Sequence, residues 1–376
     1  MRRRGRAFII GIGIMMAAAA LSGCGKKAEE AAVTTEAPTV MPEETKTIVL
    51  ETEPTTEAET EPEGPEERKE VDGKIQSYLT GEMVDVAKAN RRPVAVMMSN
   101  DKASLPQYGI NRADVVYEAP VEGDMNRYMA IFEDYDDIER IGSVRSCRTY
   151  YTYFAREYDA IYAHYGQSTF AVPYLKNVDN INGVDGTGGN AFYRTKDKKA
   201  PHNAYTSGAK LNKTIGQLGY RTSYSDTYTG HFQFSKNTYV PAESDAKDAY
   251  KFYPSYTMNN PWFEYHEDDG LYYRFQYGGP HMGNEGQIAV KNLIIQYCPA
   301  AYYASTEYRN INVQADTWGY YISNGQAEDI TCEKDGEFGV THYYDASGNE
   351  IVLNPGKTWI CICTTNDMQP AKIEGK

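Results

Sequence analysis

The sequence predicts an α/β domain with a mixed sheet over residues 71–250, followed by a β-rich domain over residues 251–376, α+β overall. Strand-like and helix-like segments alternate in the first region, as they do in α/β folds. Short strand-like runs separated by Gly, Asn and Asp turns fill the second region. The combined length is that of two domains.

The elements of the first region follow from apolar periodicity. Helices are expected from Ser146 to about Tyr158, and after Ser207 up to Gly219, where apolar residues recur at helical spacing. Four buried strands are expected at Pro93–Met98, Ala113–Glu118, Arg127–Glu133 and Ala160–Tyr165.

The second region contains five runs typical of strands. A hairpin turn is expected at Ala346–Asn349, where Ser, Gly and Asn cluster. The five predicted strands are Leu271–Tyr277, Ile288–Tyr297, Trp318–Ser323, Gly339–Tyr344 and Thr358–Thr364.

The amino terminus has the pattern of a bacterial lipoprotein. A basic start precedes an apolar stretch from Ala7 to Leu21, and small residues lead directly to Cys24. Residues 1–23 are therefore predicted to be a lipoprotein signal peptide, with Cys24 lipidated; the alternative is an ordinary signal peptide followed by an unrelated Cys. The expected location is the cell membrane, lipid-anchored on the extracytoplasmic face, with the lipid on Cys24 as the contact with the bilayer.

Residues 24–70 are predicted to form a disordered acidic tether rich in Thr, Glu and Pro. From residue 25 this segment has 14 Glu, five Lys or Arg, and no Phe, Trp or Tyr. Such a composition buries too little apolar area to offset its ordering entropy. The whole chain of 376 residues carries a formal charge of −14, which argues against nucleic acid as a partner.

The chain has six cysteines, and apart from Cys24 they raise two questions. Cys147 is interpreted as a small buried residue rather than a nucleophile, although it lies between two arginines. For the other four, a structural disulfide and free buried thiols both remain open, and spacing cannot choose a pairing. These four are Cys298, Cys332, Cys361 and Cys363.

The strongest functional signal is the segment from Gly142 to Thr149, which contains Arg145 and Arg148. If a helix begins near Ser146, the two arginines lie three residues apart on its first turn and can converge. Helix amino termini and paired guanidinium groups both favour anions, so the segment predicts a phosphate, pyrophosphate or carboxylate site. The alternative is that both arginines pair with the protein's own carboxylates.

An acidic group lies nearby in the sequence. Glu118 ends a strand, Glu122 and Asp124 follow in the loop, and Arg127 opens the next strand. These side chains are consistent with an acid/base pair, a cation site or a salt-bridged turn. Glu118 and Glu122 are candidates for a catalytic role, but no catalytic residue is assigned.

Further polar residues follow predicted strands: His164, Arg194, His202 and Asn203. They are included as candidate ligand-binding residues, although a single His is usually structural. The sequence has neither an HxxxH nor an HExxH pair, so no metal is predicted, and no cofactor motif is present.

Several motifs together resemble the YerB-like family of bacterial lipoproteins. This resemblance implies two domains, a lipid anchor and no assigned biochemical activity. One departure is Cys147, where the family leads us to expect a small residue such as Ala. The motifs, in order, are the runs 92–100, 113–127 and 141–148, His164-Tyr165-Gly166, Pro201-His202-Asn203 and the run 353–360.

A shorter likeness concerns the run 113–118 and the Arg-rich turn before the first long helix. Together they are similar to part of the LytR-CpsA-Psr phosphotransferases, whose arginines hold a pyrophosphate.

The sequence therefore leads to three hypotheses about function. The first is an envelope protein that binds an anionic, phosphate- or glycan-bearing ligand through Arg127, Arg145, Arg148 and His164. The others are an envelope phosphotransferase or hydrolase acting on a wall precursor, and a non-catalytic scaffolding lipoprotein.

Overall fold

The computed structural model describes residues 68–236, 238–239, 246–254, 256–366 and 369–376, which belong to one compact unit. The predicted signal peptide, Cys24 and the predicted tether up to residue 67 lie outside these residues. Within the described part of the chain, none of the helices combines the length and the apolar character that a bilayer span requires.

The N-terminal region alternates strands and helices, as predicted. Its second long helix has the caps expected from the sequence: the Ser207 side chain accepts from the Lys210 backbone N–H, and Gly219 is left-handed with φ 69°. The elements are β1 (Lys74–Gln76), β2 (Met83–Asp85), α1 (Val86–Ala89), β3 (Val94–Ser99), β4 (Val115–Pro120), β5 (Asn126–Phe132), β6 (Ile141–Gly142), α2 (Thr149–Glu157), β7 (Ile161–His164), β8 (Asn180–Asn182), β9 (Tyr193–Arg194), β10 (Ala204–Thr206) and α3 (Gly208–Leu218). Single turns of 3-10 helix lie at Lys102–Ser104, Ile110–Arg112, Glu122–Asp124, Thr169–Ala171 and Tyr174–Asn177.

The C-terminal region is rich in strands, so the predicted fold class is confirmed. The predicted run Ile288–Tyr297 is divided between two strands. Among the strands that were not predicted, the two longest are Trp262–His266 and Gln326–Lys334. The strands are β11 (Gln233–Phe234), β12 (Lys247–Asp248), β13 (Lys251–Tyr253), β14 (Trp262–His266), β15 (Leu271–Gln276), β16 (Gly279–Pro280), β17 (Met282–Gly283), β18 (Gly286–Gln287), β19 (Ala289–Val290), β20 (Asn292–Cys298), β21 (Ala300–Tyr302), β22 (Arg309–Ile311), β23 (Thr317–Ser323), β24 (Gln326–Lys334), β25 (Thr341–Tyr344), β26 (Val352–Leu353), β27 (Thr358–Thr364) and β28 (Lys372–Glu374).

A mixed sheet of 11 strands runs through both regions. Its order is β12-β24-β23-β20-β27-β4-β5-β3-β7-β8, with β25 beside β24. Strand β27 is parallel to both of its neighbours, β20 from the C-terminal region and β4 from the N-terminal region. The two regions therefore share one hydrogen-bonded sheet.

Each face of this sheet is covered by a different layer. Along β3, Val94, Val96 and Met98 face one side while Ala95 and Met97 face the other, as strand geometry requires. The first side packs against α3 and a second sheet of order β16-β15-β14-β13-β28, and the other side packs against α2. Burial of apolar area on both faces supplies the main stabilisation of the fold.

Helix α2 begins three residues later than predicted, at Thr149 instead of Ser146. The preceding segment is extended because it bonds to neighbouring strands. The Arg145 backbone N–H donates to the Met97 carbonyl, and the Arg145 carbonyl accepts from the Tyr165 N–H, both at 2.9 Å. The prediction that Arg145 lies on the first helical turn is therefore wrong, and Arg148 is the N-cap residue.

The cysteines of the described residues are all free and buried. The alternative of a disulfide in the C-terminal region is therefore wrong, and the alternative of buried thiols describes this structure. Cys361 and Cys363 share one face of β27, while Ile360 and Ile362 occupy the other. Burial raises the pKa of Cys147 to about 12, which makes this thiol a poor nucleophile.

Candidate functional site

Three arginines come together beside the ends of two interior strands of the central sheet, and we call Arg127, Arg145 and Arg148 the arginine cluster. Arg127 lies in β5 opposite Ser99 at the end of β3. Arg145 lies in the extended segment before α2, and Arg148 occupies the N-cap position of α2. Burial lowers the pKa of Arg127 to about 10, with further contributions from the positive charges of Arg148 and Arg145. Burial and Arg148 also lower the pKa of Arg145. The three cations therefore repel one another within a partly dehydrated region.

The arginine cluster has fewer carboxylate partners than cations. Arg148 donates through Nε to Oε1 of Glu122 at 2.6 Å, and its Nη1 donates to the Cys147 carbonyl at 2.8 Å. Arg127 donates through Nη1 to the Ser146 carbonyl at 2.5 Å. Among the residues that the structure describes, no carboxylate lies within 4.0 Å of either Arg127 or Arg145. Glu122 is therefore in direct contact with one of the three guanidinium groups, and Asp101 contributes a more distant negative charge beside Arg145.

His202, one of the further candidate ligand-binding residues, lies beside Arg145. Its Nδ1 is 3.4 Å from Nη1 of Arg145, and its Nε2 is 3.8 Å from Oδ1 of Asp101. Burial lowers the pKa of His202, and the positive charge of Arg145 acts in the same direction while Asp101 opposes it. The ring is therefore neutral near pH 7 and can accept a hydrogen bond from Arg145.

Arg194 and Asn203 form a separate surface pair. Nη1 of Arg194 donates to Oδ1 of Asn203 at 2.6 Å, and the guanidinium lies 4.9 Å from the centroid of the Tyr165 ring. In the described part of the chain, neither side chain is hydrogen-bonded to the arginine cluster. Their contacts indicate a structural role in the β9–β10 hairpin.

His164 is enclosed at the end of β7. Its Nδ1 donates to the Gly166 carbonyl at 2.8 Å, and its Nε2 is 3.2 Å from Oδ1 of Asn180. The side chain is fully buried, and burial lowers its pKa. This geometry holds the turn after β7 and gives His164 no direct access to a ligand.

Glu118 forms a buried ion pair with Arg274 of β15. Nη2 of Arg274 donates to both carboxylate oxygens, at 2.9 and 3.0 Å, and Asn126 and Trp359 donate at 2.9 and 3.1 Å. Both charged side chains are fully buried. Burial opposes the charged form of Arg274, but Glu118 reverses this effect and the net change raises its pKa. We therefore place Glu118 outside the proposed site.

Sequence reasoning missed Arg274, because nothing in the sequence marks it as the partner of a residue in the other region. Its Nη1 donates to Nδ1 of His281 at 2.7 Å, so the Nε2–H of His281 donates to Oε1 of Gln107 at 2.6 Å. The chain of bonds fixes His281 as a neutral ring and connects the two sheets.

Two cavities lie near this buried chain of bonds. One has a volume of about 180 Å³ and includes Lys357 and Trp359 in its lining. The other is a cleft of about 600 Å³ that has no charged lining residue, since His281 in its lining is neutral. Neither lining includes a member of the arginine cluster. The cleft is lined by Leu105, Pro106, Tyr108, Gln276, Pro280, His281, Met282, Gly283 and Asn284.

The chemistry of the arginine cluster is that of an anion receptor. Guanidinium groups bind phosphate and carboxylate oxygens by charge-assisted hydrogen bonds. Within the residues described, no three His, Cys, Asp or Glu side chains form a group suited to a metal ion. The half-buried Glu122 is the acidic side chain in direct contact with the cluster.

Comparison with known proteins agrees with this architecture. A Bacillus subtilis (strain 168) protein named "Putative lipoprotein YerB" is 30% identical over 308 residues, covering 80% of this chain and 89% of that protein. The crystal structure of YerB protein from Bacillus subtilis matches with a TM-score of 0.70 and 28% identity, covering 80% of this chain and 99% of that chain.

Two family descriptions match the described regions. The N-terminal domain of a protein of unknown function (DUF3048) matches residues 79–221, and the DUF3048 C-terminal domain matches residues 252–360. The YerB-like resemblance predicted from the motifs is thereby confirmed. The chain belongs to the DUF3048 family, with both of its domains present and joined through one central sheet.

Proposed function

We propose that this protein is a membrane-anchored extracytoplasmic lipoprotein whose arginine cluster binds an anionic, phosphate- or glycan-bearing ligand of the cell envelope. The observation that carries the proposal is the charge imbalance at the cluster: Glu122 contacts Arg148, and Asp101 adds a more distant negative charge beside Arg145, so two carboxylates face three guanidinium groups. A bound anion would relieve the repulsion among these cations, so binding would be favourable.

Exposure supports the same role. Arg145 is half-buried and its guanidinium contacts the neutral ring of His202 rather than a carboxylate. It therefore keeps unused donors at the edge of the site. The Arg127 side chain is nearly enclosed. In the described structure, the single hydrogen bond of its guanidinium is to a backbone carbonyl. A phosphate that enters beside Arg145 would gain the field of all three cations.

A calorimetric titration of the full-length protein in detergent tests the proposal. Inorganic phosphate and pyrophosphate are the probes, and we expect both to bind with pyrophosphate the tighter. Arg145→Ala should weaken binding by about tenfold or more, because one charge-assisted contact is lost. Arg156→Ala, which removes an exposed arginine at the other end of α2, is the matched control and should bind normally. Absence of binding heat with both probes would contradict the proposal.

The membrane location rests on the sequence pattern before Cys24 and on the name of the Bacillus subtilis relative. We expect Cys24→Ala to abolish labelling of the protein by a radioactive fatty acid and to release it from the membrane fraction. Cys147→Ala, at a buried thiol, is the control and should leave labelling unchanged. Membrane retention of the Cys24 variant would argue against lipid anchoring.

A scaffolding role without a ligand is the second candidate, because the Glu118–Arg274 pair is fully enclosed and Arg148 is itself held by Glu122. If the protein has only this scaffolding role, neither inorganic phosphate nor pyrophosphate should bind. The enzyme alternative depends on Glu122 as the base, and the effect of Glu122→Gln on ligand binding and turnover separates it from simple binding.

A further inference from the structure

We propose that an aromatic surface beside the arginine cluster holds the sugar of a glycosyl phosphate whose phosphate lies on the cluster. We define the aromatic surface as Phe170, Tyr302, Tyr303 and Tyr308. This inference rests on the proposed anion-binding function and adds the class of ligand. It requires that the rings be organised, next to the cluster and open to solvent.

The rings are organised by segments distant in the sequence. Phe170 and Tyr303 are stacked with ring centroids 3.8 Å apart and planes 2° apart, and Tyr308 meets Phe170 edge-on at 5.7 Å. Phe170 comes from the 3-10 turn after β7, whereas both tyrosines lie in the loop of the β21–β22 hairpin. Packing between these two segments therefore holds the rings in place.

The aromatic surface directly adjoins the arginine cluster. The guanidinium carbon of Arg148 lies 5.1 Å from the centroid of the Tyr308 ring, within cation–π range. The Tyr303 hydroxyl is 3.2 Å from Oγ1 of Thr149, the residue after Arg148. A group attached to a phosphate on the cluster would therefore meet the rings.

The surface remains open and is bordered by carboxylate. Tyr302 is 55% exposed, and Phe170, Tyr303 and Tyr308 are each half-buried. The side chain of Asp124 is 69% exposed and is held by Arg309, whose guanidinium also lies 5.1 Å from the Tyr302 ring.

These features fit a sugar better than an acyl chain. The apolar C–H face of a sugar packs on tyrosine rings, while tyrosine hydroxyls and carboxylates bond to its hydroxyl groups. A nucleoside can also stack on such rings, so it is an alternative that the experiment must separate.

Calorimetry with the full-length protein in detergent tests this inference. The probes are inorganic phosphate, glucose 1-phosphate and adenosine monophosphate. We expect glucose 1-phosphate to bind about tenfold tighter than inorganic phosphate and tighter than the nucleotide. In Tyr303→Ala the advantage of glucose 1-phosphate should disappear, while the affinity for inorganic phosphate stays unchanged. Tyr273→Ala, in β15 and remote from the cluster in sequence, is the control and should retain the advantage.

The outcomes are distinguishable. Equal affinities for inorganic phosphate and glucose 1-phosphate in the unmodified protein would overturn the sugar assignment and leave the proposed anion binding intact. Tighter binding of adenosine monophosphate would likewise overturn it in favour of a nucleoside. Failure of all probes would overturn both proposals. Loss of inorganic phosphate binding in Tyr303→Ala would show that the ring only supports the cluster, which also overturns the inference.

Discussion

Glu118 and Glu122 are near neighbours in the sequence, yet the Glu–Arg pairs that they form have opposite surroundings. Glu118 of β4 and Arg274 are both fully buried, and the carboxylate accepts further bonds from Asn126 and Trp359. Glu122, in the turn after β4, is 18% exposed and binds Arg148, whose charge is reinforced by two more arginines. The first pair is balanced and closed, whereas the second has an excess of positive charge at the surface.

This difference shows that the ratio of carboxylates to cations, together with access, separates a structural pair from a binding site. A charge-balanced pair with both side chains fully buried gives a ligand no access, even though Nε of Arg274 has no hydrogen-bond partner among the described residues. A partly exposed cluster with surplus guanidinium groups keeps the capacity to bind one. The sequence motif alone contains both glutamates and does not distinguish them.

The largest expected effect is on stability, when the buried Glu118–Arg274 pair is broken. Glu118→Gln would leave the Arg274 charge buried without a countercharge, and we expect the free energy of unfolding to fall by about 3–5 kcal/mol. Urea unfolding of the full-length protein measures it. The matched variant Glu122→Gln should cost less, since the Glu122 side chain is 18% exposed whereas Glu118 is fully buried. Equal losses in the two variants would erase the distinction between the pairs.

A third pair, Asp114 and Glu133, extends the comparison to carboxylates that form no ion pair with an arginine in the described structure. The Glu133 backbone N–H donates to Oδ2 of Asp114 at 2.7 Å, and Ser77 donates to the Glu133 carboxylate at 3.0 Å. Burial, with the nearby Asp114 charge, raises the pKa of Glu133 from 4.5 to about 7. Burial also raises the pKa of Asp114, to about 6.

The pH dependence follows from the direction of these shifts. Because folding raises the pKa of Glu133, the folded chain keeps a proton that the unfolded chain releases between pH 4.5 and about 7. The free energy of unfolding should therefore fall as the pH rises through this window. Glu133→Gln should remove this part of the dependence and stabilise the protein at pH 8 by about 1–3 kcal/mol. Urea unfolding at pH 5 and 8 measures it, and an unchanged pH profile would contradict the assignment.

The smallest expected effect concerns the Glu122–Arg148 pair. Glu122→Gln removes the carboxylate in direct contact with the arginine cluster, so its field becomes more positive and inorganic phosphate should bind a few-fold tighter, about 3- to 10-fold. Calorimetry at low salt measures the change, and added salt should reduce it by screening. Weaker binding would mean that Glu122 positions Arg148 for the ligand, which would reverse the role given to it here.

The local structure was largely predictable because it follows apolar periodicity and capping. The strand Thr358–Thr364 has the predicted bounds, and Ser207 and Gly219 cap α3 as expected. The strand Trp262–His266 was missed although it pairs with the strands directly before and after it in the sequence, because only Phe263 of its five residues is buried and the run therefore gives a weak apolar signal. Division of the run Ile288–Tyr297 depends on pairing with two different sheets, which a single run of residues does not encode.

The arginine cluster was predictable in composition but not in geometry. Arg127, Arg145 and Arg148 do come together, yet an extended segment places Arg145, because backbone bonds to Met97 and Tyr165 prevent an early helix start. Those bonds are long-range and leave no signature near residue 145. The burial of Glu118 was unpredictable for a similar reason, since its partner Arg274 is far away in the sequence.

The position of β27 has a consequence for the order of assembly. Residues Thr358–Thr364 fill the place between β4 and β20, so the two halves of the main sheet are bridged by a segment synthesised after both. A nascent chain that lacks this segment exposes the unpaired backbone edges of β4 and β20, which are open to intermolecular association. We therefore expect that truncation just before residue 358 produces aggregates rather than a stable amino-terminal half.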